Sequence, residues 1–198
     1  MELKKAIDRV AKVCPKKKEL EAYQAIRFLP NPGGQSYLYA TDGLRIAMAR
    51  VDVEDLPNLL LPVAPLVAAS KDTGDLEVVE VGYGKVELRS GTAVYQLRGL
   101  DHSRFPVLPP MPHQFVPVDP QVWKVVSKVF HAAGKETVDP ALAVVNFTTE
   151  YVEATDQARF VRVDLTGPWH GMVPASTFKT WPKGEVFVAF TTTHAFFW

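Results

Sequence analysis

The 198 residues are 47% hydrophobic and 22% charged, the proportions of a folded protein rather than a disordered one. Twenty-two basic residues balance 22 acidic ones, so any affinity for nucleic acid has to come from local clustering. The single cysteine, Cys14, excludes a disulfide framework and a cysteine-based zinc site and suits a reducing compartment.

In chain order, Leu3, Ala6, Ile7, Val10, Val13 and Cys14 recur at helical spacing and predict an amphipathic helix over residues 2–14, stopped by Pro15. This opening is unlike the apolar block of a signal peptide, and a cytoplasmic, soluble protein is expected. Lys5, Arg9, Lys12 and Lys16 fall at spacings of four, three and four, placing the first three on one exposed face with Lys16 just past it. Residues 21–28 read as a strand, and Asn31-Pro32-Gly33-Gly34 as a turn. The apolar run 59–69 is broken by Pro62 and Pro65, too short to span a bilayer; residues 61–70 read as a second, proline-led helix. Residues 76–81, 85–88 and 93–97 read as three consecutive antiparallel strands, separated at Gly82-Tyr83-Gly84 and Ser90-Gly91.

One stretch returns. Ala40-Thr41-Asp42-Gly43-Leu44-Arg45 has a near copy in Ala154-Thr155-Asp156-Gln157-Ala158-Arg159, an offset of 114 residues, each copy lying between two strand-like runs. Thr-Asp at such a place predicts a hairpin turn, with Gly43 supplying positive φ. Gln157 stands at that place in the second copy, so the turn there either differs or strains a residue. The arginine after each turn is expected to pair locally. Between the copies, six prolines within residues 105–120 predict a stiff connector unable to enter a sheet interior. The pattern then replays. Val122, Val125, Val126, Val129 and Phe130 make a helical stripe, and Lys124, Lys128, His131 and Lys135 match Lys5, Arg9, Lys12 and Lys16 at a constant offset of 119. Residues 143–147 replace the strand before the hairpin, Val173-Pro174 replaces Leu61-Pro62 before a short helix, and residues 185–190 replace the strand at Leu76. Trp198 falls about where Leu88 stands in the first copy, so the second module reads as shortened at its C-terminus. The predicted division is a first module over 1–108, a connector over 109–119 and a second module over 120–198.

With Ala40–Arg45, Leu61-Pro62, Ser90-Gly91, Leu100 and Phe105-Pro106 in the first module, and Ala154–Arg159 with Val173-Pro174 in the second, the chain resembles the DNA sliding clamps, most closely the bacterial DNA polymerase III beta subunit. The resemblance implies an α+β clamp fold, two repeated modules each with two helices packed on antiparallel sheets. Such clamps form rings of six modules with the helices lining the hole, so two modules per chain imply a homotrimer. The implied role is a processivity factor that encircles double-stranded DNA without reading its sequence and tethers a DNA polymerase, with a clamp loader as a further partner. The alternative is a clamp-like interaction protein that binds replication proteins without encircling DNA.

The resemblance assigns DNA contact to Lys5, Arg9, Lys12, Lys16, Lys124, Lys128, His131 and Lys135, since sequence-blind binding rests on phosphate contacts. A charged face is also simply the solvated side of an amphipathic helix; its return in the same register favours contact. Partner peptides are assigned to Thr155, Gln157, Ala158, Arg159, Phe160 and Pro174, although Gln157-Ala158 stands where the family usually has Gly-His. Val107, Leu108, Met111 and Phe115 of the connector offer a second apolar surface. Neither catalysis, a cofactor nor a metal is expected. Gly82-Tyr83-Gly84 lacks the further glycine and helix of a phosphate loop, the five histidines are scattered, and none lies beside a nucleophile motif.

Overall fold

The computed structural model describes residues 1–15, 20–31, 35–53, 56–135, 138–180, 186–191 and 193–197, and the chain divides into two compact units, Met1–Val107 and Leu108–Trp198.

In the first unit, α1 (Leu3–Val10) is followed by β1 (Ala25–Leu29), β2 (Ser36–Thr41), β3 (Ile46–Val51), β4 (Leu60–Pro62), α2 (Val63–Ser70), β5 (Leu76–Gly82), β6 (Lys85–Ser90) and β7 (Ala93–Arg98). The strands form two antiparallel sheets, ordered β3-β2-β1-β4 and β5-β6-β7. Leu3, Ala6, Ile7 and Val10 are buried on one stripe of α1 and join Phe28, Leu38, Val51, Leu66, Val86 and Leu88 in one core. Each of the fully buried Val, Leu, Ile and Phe side chains contributes about 1.5–3 kcal/mol.

The second unit holds β8 (Val116–Pro117), α3 (Pro120–Val129), β9 (Val144–Phe147), β10 (Tyr151–Thr155), β11 (Phe160–Asp164), β12 (Gly171–Pro174), β13 (Phe187–Phe190) and β14 (Ala195–Phe197). Its main sheet runs β11-β10-β9-β12, antiparallel throughout, which is the order of the first unit's main sheet strand for strand. A three-stranded sheet, β14-β13-β8, completes it. Val122, Val126 and Val129 of α3 pack with Val145, Phe147, Val152, Phe178 and Val188. The α3 N-terminus is capped by Asp119, whose side chain accepts the Gln121 amide, with proline at the first turn where its missing donor costs nothing.

Several sequence expectations need correction. The helix expected over 2–14 ends at Val10, and residues 11–14 close short i→i−3 bonds instead: Lys12 to Arg9, Val13 to Val10 and Cys14 to Ala11. Pro15 contributes to this, because it has no N–H to donate to the Ala11 carbonyl and its ring would clash with that carbonyl in a continued helix. Lys12 therefore lies on a turn beyond α1, not on the helix. Residues Glu21–Gln24 are a 3-10 helix rather than the start of the strand. Leu60–Pro62 extends β1's sheet instead of opening α2, with Ile26 paired to Leu61. The short helix after Pro174 is a 3-10 helix, Ala175–Thr180. His131 lies in a 3-10 turn, Phe130–Ala132, past the end of α3. The connector does contribute a strand: Val116–Pro117 pairs with β13, and the Val118 amide reaches the Val186 carbonyl at 2.7 Å. β8 sits on the sheet edge, the place where proline's lost donor is tolerated. Lys16, Pro32, Gly33, Gly34, Glu185 and Trp198 lie outside the described residues.

Candidate nucleic-acid interface and partner site

The charged side chains of α1 divide into two groups. Lys4 turns inward, its ammonium donating to the Asp72 carbonyl and, at 3.1 Å, to Ser90 Oγ. Asp8 accepts the Ser70 hydroxyl of α2 at 2.9 Å. The cations that face outward are Lys5, Arg9 and, on the following turn, Lys12, all exposed. Lys5 pairs with Glu2 at 2.9 Å on an open surface, a contact worth little in water; Arg9 and Lys12 have no ion pair among the described residues.

α3 carries no acidic residue within Pro120–Val129, and Lys124 and Lys128 stand one turn apart, both exposed. His131 is exposed as well, its ring 4.0 Å from that of Phe130, and Lys135 follows on the surface. None of these four side chains has an ion pair among the described residues. Each unit thus presents outward cations from its first helix, with Arg9, Lys124 and Lys128 left without an ion pair among the described residues, in a protein of zero formal net charge.

The two hairpin turns match bond for bond. In the first, Thr41 Oγ1 accepts the Gly43 amide at 3.0 Å and donates to the Arg45 carbonyl at 2.8 Å. Asp42 Oδ1 accepts the Leu44 and Arg45 amides, and Oδ2 binds the Arg45 guanidinium at 2.6 Å. In the second, Thr155 takes the Gln157 amide at 3.1 Å and reaches the Arg159 carbonyl at 2.7 Å, while Asp156 holds the Ala158 and Arg159 amides and the Arg159 guanidinium. The turn does not change to suit Gln157, which adopts φ 75° where Gly43 has 90°. Hydrogen bonds from the Arg159 guanidinium and amide hold the Asp156 carboxyl below its ordinary value. Asp42 and Asp156 are turn-forming carboxylates.

The hairpin places the expected partner-binding residues on one sheet end. Thr155 pairs with Phe160 across β10 and β11, and Pro174 pairs with Val144 across β12 and β9. The register of β9 with β10 brings Val144 opposite Thr155, so Phe160, Thr155, Val144 and Pro174 form one row. Phe160 is 60% exposed; Gln157, Ala158 and Arg159 are exposed beside it on the turn. The first unit repeats this row as Ile46, Thr41, Ala25 and Pro62.

Strand alternation puts a second row on the same face: Arg162, Glu153, Asn146 and Met172. Arg162 lies 4.0 Å over the Tyr151 ring and 5.4 Å from that of Phe160. Partial burial would raise the Glu153 carboxyl, yet hydrogen bonds from Asn146 at 2.9 Å and from Arg162 hold it below its ordinary value. Met172, 70% exposed, was missed in the sequence, though two-residue periodicity back from Pro174 points to it.

Burial pushes the Cys14 thiol up to about 11, so it is a poor nucleophile at neutral pH. Among the described residues no three or more His, Cys, Asp or Glu side chains are gathered to hold a metal, and no helix is long and apolar enough to cross a membrane.

No protein-family model matches the chain, and no curated protein matches it by sequence. Solved structures do. The DNA polymerase III beta chain of Streptococcus pneumoniae superposes with a TM-score of 0.80 over 98% of this chain and 59% of its own, at 15% identity. The DNA polymerase sliding clamp of Bacillus subtilis gives 0.79 over the same shares at 18% identity. The DNA polymerase III subunit beta of Pseudomonas aeruginosa gives 0.76 over 98% and 61% at 20% identity. The chain therefore spans about three-fifths of the length of these clamps. Two units with the same main-sheet order, helices on antiparallel sheets and these superpositions establish one point: the chain has the α+β fold of the DNA sliding clamps.

Proposed function

We propose that the protein is a non-enzymatic processivity factor, a sliding clamp that encircles duplex DNA irrespective of sequence and tethers a DNA polymerase. The observation that carries this reading is the recurrence of exposed, outward cations on equivalent helices, Lys5 and Arg9 in one unit and Lys124 and Lys128 in the other, of which only Lys5 has an ion pair among the described residues, a solvent-exposed one with Glu2. Lysine and arginine on phosphates position a protein without specifying a sequence, which is what a sliding contact needs. Lys12, His131 and Lys135 extend the two patches. Three chains of two modules each make a six-module ring, and the cytoplasm is its place of work. The polymerase docks on the row formed by Phe160, Thr155 and Pro174, with Gln157, Ala158 and Arg159 at its rim.

The test removes the four helix cations together. K5A/R9A/K124A/K128A should lose retention on duplex DNA, and the log–log salt slope should flatten by roughly 0.9 for each phosphate contact removed. Exposed helix positions tolerate alanine, so thermal unfolding should hold. Parent-like retention in the folded variant contradicts the assignment.

A further inference from the structure

The β5–β6 hairpin displays an aromatic ring that the fold does not use. Gly82 and Lys85 pair across its end, leaving Tyr83-Gly84 as a two-residue turn with φ of 53° and 70°. Two successive positive φ values define the type I′ turn, where Asn-Gly or Gly-Gly is preferred. A bulky tyrosine there stores backbone strain. Within this unit its ring gains nothing in return: Tyr83 is fully exposed and makes no ring contact among the described residues. The tip is nevertheless well held. The Gly99 amide donates to the Gly84 carbonyl at 2.7 Å, an approach close enough that a Cβ at Gly99 would meet that oxygen at 3.3 Å.

Two cations lie at the same end of this sheet in the strand register. Lys85 and Arg98 are direct cross-strand partners, both exposed, and neither has an ion pair among the described residues. Like charges placed opposite each other repel, so this pair also costs the hairpin stability. On β6 itself the exposed Arg89 is, by contrast, paired with Glu87. Val81, half-exposed in the irregular step between Glu80 and Gly82, adds apolar surface at the base of the tip.

A solvent-facing ring on a strained turn, at the sheet end that also carries two cations without an ion pair among the described residues, matches a polyanion with accessible flat faces. Single-stranded nucleic acid has both, whereas a duplex hides its base faces in the stack. An acidic peptide would satisfy the cations but leaves the ring without a purpose. We propose that the β5–β6 tip binds single-stranded nucleic acid, with a base stacked on Tyr83 and phosphates held by Lys85 and Arg98. This contact is separate from the helix cations and does not depend on them.

The probe is a fluorescent oligothymidylate titrated with the full chain, read by anisotropy at several salt concentrations. Y83N suits the turn and should unfold at an equal or higher temperature, yet bind the oligonucleotide about tenfold more weakly. Y83F, which keeps the ring, should bind like the parent. K85Q/R98Q should flatten the single-strand salt slope by roughly 0.7 per contact. The K5A/R9A/K124A/K128A variant should keep this binding, which separates failure here from failure of the duplex assignment. Parent-like binding by Y83N overturns the proposal, as does a parent that binds polyglutamate but not the oligonucleotide.

Discussion

Gln157 occupies a backbone position for which its first-unit counterpart is glycine, and the same set of turn bonds forms around both. A non-glycine residue in left-handed geometry costs about 1 kcal/mol. Gln157→Gly should therefore stabilise the protein by roughly 0.5–1 kcal/mol in urea unfolding; a destabilised variant would show that the glutamine side chain contributes more than its backbone costs. The reverse exchange is not symmetrical, since a Cβ at Gly43 would meet the Tyr23 ring at 3.0 Å. The bonds from Arg159 that depress the Asp156 carboxyl also set a pH response. Because the folded value lies below the unfolded one, the contribution is complete above the ordinary carboxylate range and is lost as pH falls through the folded value. An NMR titration should place the Asp156 midpoint below that of an unstructured aspartate; a midpoint at or above it would mean the turn bonds do not persist in solution. These turns were legible in the sequence because every bond is made within six residues. The role of Lys4 was not, because its partners Asp72 and Ser90 are distant in the chain.

Elements show the same division between local and distant causes. The strands around each hairpin follow from alternation, and Tyr151–Thr155 reads inward and outward in turn, with Val152 and Ala154 buried. The ends of elements follow from pairing that periodicity does not reveal. Leu60–Pro62 is as apolar as the helix after it and becomes a strand because β1 offers an edge. Val116–Pro117, hidden among prolines, becomes a strand because β13 offers another. The register of β12 against β9 sets Met172 beside Asn146 on the exposed face, a neighbour that periodicity along β12 alone does not name. Helix packing makes its own prediction. Ser70, buried at the end of α2, donates to Asp8 of α1 at 2.9 Å. Ser70→Ala should cost about 1 kcal/mol in denaturant unfolding, with a double-mutant cycle against Asp8→Ala showing coupling. Additive losses would show that the two helices are joined by apolar packing alone.

At the scale of the molecule, the clamp fold persists at 15–20% identity over 98% of the chain. That is the behaviour expected when pattern and volume, rather than particular side chains, specify a core. The repeat was legible because two copies of one module constrain each other: the hairpin copies aligned the strands, and the strands aligned the helices. Its functional content rests on charge that the fold leaves unused, on α1 and α3, in a chain with no surplus to distribute. A ring of six modules built from two-module chains requires three copies joined head to tail. Light scattering on the purified protein reads this directly. The account predicts a single species of about three times the 22.0 kDa of one chain; a protein that stays at the mass of one chain, or of two, at micromolar concentration would contradict it.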